Sequence, residues 1–287
     1  MYTSHFMLRE NPFSLTPDPK YLFLSRQHRE ALNHLIYGIK EKKGFIVITG
    51  GIGTGKTTLS RALLAGMDPY VETALIFNSY LSDMELLEVI NQEFQVSLVG
   101  VDRSKRRYID SLNAFLMSNY NAGKNAVVLI DEAQNLSRNV LEQIRMLSNL
   151  ETETEKLLQI ILVGQPELRD LLAQPSLRQL AERISVRYHL DALSGDDVPD
   201  YIEHRLTVAG DTGRLKFTDD AFGKIFDFSR GNPRRINILC DRAMLIAYAG
   251  NLLEIDRKVI KLAVKDLKSS DAKKGTFFAR ARKRLFA

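Results

Sequence analysis

Residues 44–60 read GFIVITGGIGTGKTTLS. Phe45 to Ile48 are four apolar residues in succession, three of them β-branched. Such a run suits a strand buried on both faces of a parallel sheet. Gly50-Gly51-Ile52-Gly53-Thr54-Gly55-Lys56-Thr57 then matches G-x-x-x-x-G-K-[ST] in full. From Thr58 onward the residues predict a helix, so the motif has the strand before it and the helix after it that its chemistry requires. The glycines let backbone N–H groups turn inward around an anion, where a Cβ would block the approach. The start of the following helix adds partial positive charge. Gly50 through Thr58 therefore read as a phosphate cradle. Lys56 reaches the β and γ phosphates of a nucleotide, and the Thr57 hydroxyl is a ligand for Mg2+.

The rest of the chain is that of an ordinary globular protein. It has 287 residues, 45% of them hydrophobic and 26% charged, which favours two domains and a sizeable core. No apolar run approaches the length of a membrane span, and no signal peptide opens the chain. The single cysteine, Cys240, excludes an internal disulfide and fits a reducing cytoplasm. It lies in an apolar helical run, Ile236 to Ala249, which reads as a buried, inert thiol. The net charge of +5 is unevenly placed. Residues 268–287 hold seven Lys or Arg against one Asp, so the remaining chain is left at net −1. The basicity belongs to a tail.

In chain order, residues 1–27 carry Pro12, Pro17 and Pro19 between Phe6, Leu8, Phe13, Leu22, Phe23 and Leu24. This predicts an irregular segment that docks on the core by its aromatics. A helix is expected over about 27–42. Further strands are expected at Thr73–Phe77, Ala126–Ile130, Leu157–Val163 and Ile184–Leu190, five with the first. The cluster Asp102 to Arg107, DRSKRR, reads as the solvated start of a helix over 108–121. Asp131 and Glu132 follow the third strand. An acidic pair at that place, downstream of a phosphate loop and at the same edge of a parallel sheet, completes a nucleotide-hydrolysing site. Asp131 holds Mg2+, largely through water, and Glu132 polarises the attacking water. Gln165, after the fourth strand, reads equally as a γ-phosphate or water contact and as a turn residue. Beyond Leu193 only helices are expected, at about 197–209, 219–229, 233–249 and 256–267, forming a helical lid. Arg234 lies at the N-terminus of the longest and can face the nucleotide.

Several long segments carry a resemblance. They are GGIGTGKTTL at 50–59, LIDEAQNLS at 129–137, LEQIRMLSNLET at 141–152, KLLQIILVGQPEL at 156–168, RYHL at 187–190 and GNPRRIN at 231–237. HREAL, PDP and YIEHRLTVAG add to them. Over about residues 6–267 the chain resembles the ExeA/GspA family of AAA+ ATPases. The resemblance implies an AAA+ α/β core at 28–193 with a five-stranded parallel sheet, a helical lid at 194–267, and ATP and Mg2+ as cofactors. It implies that Lys56 and Thr57 are Walker A, Asp131 and Glu132 Walker B, Gln165 the sensor-1 residue and Arg234 the sensor-2 arginine. Arg183 is the first candidate for an arginine finger reaching a neighbouring subunit, with Arg178 second, so self-association in a ring or filament is implied. One departure is Gly51, where family members usually carry Glu.

The family's role is bacterial envelope assembly, in type II secretion or pilus biogenesis. The expected function is thus a Mg2+-dependent ATPase acting as a motor or switch with an envelope component, at the cytoplasmic face of the inner membrane. Two alternatives compete: a DNA-binding ATPase that regulates transposition, as in the related TniB/TnsC-like branch, and a scaffold with little turnover. The near-neutral body argues against a large phosphate-binding surface. Glu132 argues against the scaffold, because a general base serves only where water attacks. A GTPase is disfavoured, since the chain has no N-K-x-D guanine motif. The tail ends FFARARKRLFA, with Phe277, Phe278, Leu285 and Phe286 around Arg280, Arg282, Lys283 and Arg284. Basic residues among aromatics favour an anionic membrane surface over DNA.

Overall fold

The structure, a computed structural model, describes residues 2–77, 79–97 and 104–269. Asp102, Arg103 and the tail from 270 onward lie outside the described residues. The chain falls into two compact units: Arg26–Ile52 with Lys56–Asp191, and Met1–Ser25 with Gly53–Gly55 and Ala192–Ala287.

The α/β unit is built on five parallel strands, β1 (Phe45–Gly50), β2 (Val71–Ile76), β3 (Asn125–Ile130), β4 (Gln159–Gly164) and β5 (Ile184–Leu190). Their order is β2-β3-β4-β1-β5. Every residue of β1 and β4 is buried, as the unbroken apolar runs require of strands covered on both faces. Ile48 pairs with Val163 and Ile130 with Leu162, so the carboxyl ends of β1, β3 and β4 come out side by side. That edge is where an open α/β sheet binds its ligand. Ser82 and Glu85 form a reciprocal capping box on helix Asp83–Glu93 after β2.

The helical unit holds Asp197–Val208, Asp219–Ser229, Pro233–Ala249 and a helix over residues 257–269. Pro233 at the first turn and Asn232 capping the Arg235 N–H set the start of the longest. Two findings correct the sequence expectation. Strands exist here: β6 (Lys216–Phe217) and β7 (Glu254–Ile255) pair in parallel. Two residues each are too few to show any periodicity. The N-terminal segment, expected to dock on the core, instead puts Phe6 and Phe13 into the apolar cluster of the helical unit, with Ile202, Ile236 and Cys240. Buried Arg205 fixes it there. Its guanidinium donates to the carbonyls of Pro12 and Ser14 and lies 4.5 Å from the centroid of the Tyr21 ring. Gly231 is required by close approach: at φ +73 its added Cβ would sit 1.8 Å from the Leu193 carbonyl oxygen.

Candidate active site

In the α/β unit the loop after β1 turns directly into helix Lys56–Ala65. Lys56 is 6% exposed, and its ammonium donates to the carbonyls of Gly50 (2.8 Å) and Gly51 (2.9 Å). Burial lowers its pKa, while the carboxylates of Glu132, Asp131 and Glu167 act in the opposite sense. The Thr57 hydroxyl donates to Asp131 Oδ2 across 2.8 Å, and Asp131 is 3% exposed. A hydroxyl from the first turn of the helix and a carboxylate oxygen from the end of β3 form the hard oxygen pair that suits Mg2+, which keeps waters for its remaining positions. The residues therefore fit the ion.

Glu132 sits in a left-handed backbone, φ 52 and ψ 36. Its N–H donates to Asp131 Oδ1 at 2.8 Å, and its carbonyl accepts the Ser79 hydroxyl at 2.8 Å. Its Oε2 accepts amide N–H groups from Gln134 at 2.6 Å and Gln165 at 3.0 Å. Burial works to raise the carboxyl's pKa. The Gln165 and Gln134 amides and the Lys56 charge outweigh it and hold the group below the ordinary glutamate value. The side chain is thus ionised at neutral pH, the state a general base needs. Lys56, Thr57, Asp131, Glu132 and Gln165 all meet at this strand edge. Gln134 and Ser79 were not legible as site residues. The single available signal for Gln134 was its place two residues after Glu132, in the Ala133–Asn135 turn.

The arginines lie elsewhere in the unit. Arg183 immediately precedes β5, at the amino edge of the sheet, and donates to Ser148 Oγ at 2.7 Å and to Asn149 Oδ1. Arg178 pairs with Glu182 on an exposed helix turn. In the helical unit, Gly53 and Gly55 take positive φ, +76 and +101. The Arg234 N–H donates to the Gly53 carbonyl at 3.3 Å. A Cβ on Gly53 would lie 2.6 Å from Arg234 Cβ. Gly51 does not take a positive φ, so its φ does not by itself require glycine.

The sheet order, the phosphate loop and the acidic pair define an AAA+ P-loop protein with a helical C-terminal portion. A family model described as an AAA domain matches residues 39–172. Over 263 residues, 92% of this chain, the sequence is 48% identical to General secretion pathway protein A of Aeromonas hydrophila. The chain belongs with the GspA-like AAA+ proteins and spans about half (48%) of that relative's length. Among solved structures, Cdc6p of Pyrobaculum aerophilum superposes with a TM-score of 0.66 at 17% identity, covering 89% of this chain and 70% of that one. The Aeropyrum pernix ORC2 protein superposes with a TM-score of 0.64 at 17% identity, covering 90% and 72%. Both likenesses are of fold. Among the described residues no helix is long and apolar enough to cross a membrane.

Proposed function

We propose that the protein is a Mg2+-dependent ATPase, releasing ADP and phosphate, that acts as a motor or switch in envelope secretion or pilus assembly. The observation that carries the reading is the Glu132 carboxylate, held by two amides beside the Thr57–Asp131 oxygen pair. The backbone N–H groups of Gly50–Thr58 hold the phosphates, and Lys56 neutralises charge on the β and γ groups. Thr57 and, through water, Asp131 would hold Mg2+, which would supply electrostatic stabilisation of the same oxygens. Glu132 orients a water against the γ phosphorus and accepts its proton. The bond from that phosphorus to the β–γ bridging oxygen breaks, and ADP leaves with the electron pair. Gln165 serves as sensor by binding Glu132 directly, and Arg234 is assigned as the lid arginine.

Self-association is part of the proposal. Arg183 and the phosphate loop lie at opposite edges of the sheet, seven residues of β5 apart, or about 20 Å. Arg183 therefore serves a neighbouring subunit's nucleotide and not its own. The secretion role rests on the 48% identity to GspA, and the basic aromatic tail fits a place at the cytoplasmic face of an anionic membrane. Phosphate release from Mg·ATP by the wild-type chain, compared with Lys56→Ala, tests the enzymatic core of this reading. Equal release by both would refute it.

A further inference from the structure

Gln134 has both ends of its side-chain amide committed. Its Oε1 accepts the backbone N–H of Gln165 at 2.9 Å, and its Nε2 donates to Glu132 Oε2 at 2.6 Å. The first bond fixes the second: rotating the amide would set an NH2 against an N–H and an oxygen against a carboxylate. Gln165 closes the circuit with its own amide on the same Oε2, at 3.0 Å. The amide of Gln134 passes tightly over the last residue of β4, where a Cβ on Gly164 would come within 2.9 Å of Gln134 Oε1.

The two donors distinguish the oxygens of the carboxylate. Oε2 takes both amides, while among the described residues Oε1 accepts no hydrogen bond. Glu132 is further pinned at its carbonyl by Ser79 and at its N–H by Asp131. A glutamate kept in a left-handed backbone is strained and persists where its surroundings over-determine it. The strands contribute separate parts of this frame: β3 ends at Ile130, two residues before the glutamate, and β4 ends at Gly164, just before Gln165.

We propose that Gln134 is a positioning residue for hydrolysis: it clamps Glu132 Oε2 to the end of β4 so that Oε1 is the oxygen presented to the attacking water. This rests on the reading of Glu132 as the base. With both amide ends used inside the protein, Gln134 acts through Glu132 and not on the nucleotide. The arrangement also joins the β3 and β4 ends, so a displacement of Gln165 moves the base.

The test uses the full chain and measures ATP turnover and nucleotide affinity separately. Gln134→Met keeps the length and removes both bonds. Gln134→Glu keeps an acceptor for the Gln165 N–H and removes the donor to Glu132, which guards against a folding defect in the first variant. Each is expected to lower kcat about 10–100-fold, the scale of a misplaced reacting group, with KM within about threefold, the pattern of a lost transition-state interaction. In a Glu132→Gln background, Gln134→Met is expected to cause no further loss, because the two act as one unit. Wild-type kcat in both variants, a change confined to KM, or losses that multiply in the double variant would overturn the proposal. A wild-type chain that binds nucleotide and hydrolyses none would instead overturn the reading of Glu132 as a base, and the clamp with it.

Discussion

The Thr57 hydroxyl donates to Asp131 Oδ2 across 2.8 Å, although 74 residues of chain separate the two. One comes from the helix after β1 and the other from the end of β3, and β4 lies between those strands. The parallel register, not the sequence spacing, makes them neighbours.

Asp131→Asn keeps the shape and removes the charge that the proposal assigns to holding Mg2+ through water. The Mg2+ concentration giving half-maximal turnover should rise about 10–100-fold, the usual cost of losing a partner of this kind. A Mg2+ titration of phosphate release checks this. An unchanged midpoint would take Asp131 out of the metal site.

Arg183 is expected to work between subunits. Turnover per chain should rise with protein concentration. Mixing Arg183→Ala chains with Lys56→Ala chains should restore part of the activity, since each supplies what the other lacks. Full activity in a monomer, independent of concentration, would contradict the assignment.

Gly231→Ala should destabilise the helical unit. The left-handed backbone costs a residue with a Cβ about 1–2 kcal/mol. Moving the Leu193 carbonyl aside costs about 1–3 kcal/mol more. For a chain of this size each kcal/mol lowers Tm by roughly 2–4 °C. A thermal melt indistinguishable from wild type would show that the backbone around Leu193 adapts freely.

The phosphate loop and its strand were legible because β1 opens on four apolar residues, Phe45 to Ile48, and the glycines that follow carry the spacing of a phosphate-binding loop. The acidic pair was legible because it ends another such run. The Gln134 clamp was not. A glutamine two residues after a glutamate says nothing until the 3-10 turn and the left-handed Glu132 aim one amide at the other's carboxylate. The docking of Phe6 and Phe13 was unreadable for a similar reason: an aromatic residue announces burial and not which surface buries it. The β6–β7 ladder was too short to leave a pattern.

The tail is expected to bind anionic lipid. Replacing Arg280, Arg282, Lys283 and Arg284 together by Ser removes four charges, each contributing about 1 kcal/mol near such a surface. Co-sedimentation with vesicles containing phosphatidylglycerol should fall to the level seen with neutral vesicles, and nucleotide binding should stay intact. Binding of duplex DNA through these residues, with no affinity for the vesicles, would favour the transposition-type alternative.

The central claim, that Glu132 is the base of an ATPase, is tested most directly by Glu132→Gln. The substitution is isosteric and removes the proton acceptor while leaving the phosphate loop and Lys56 in place. The decisive measurement is phosphate release under saturating Mg·ATP, alongside equilibrium binding of the same nucleotide. The account predicts binding within a few-fold of wild type and turnover reduced about 100–10,000-fold, the scale of a positioned general base. Turnover equal to wild type, with binding unchanged, would contradict it.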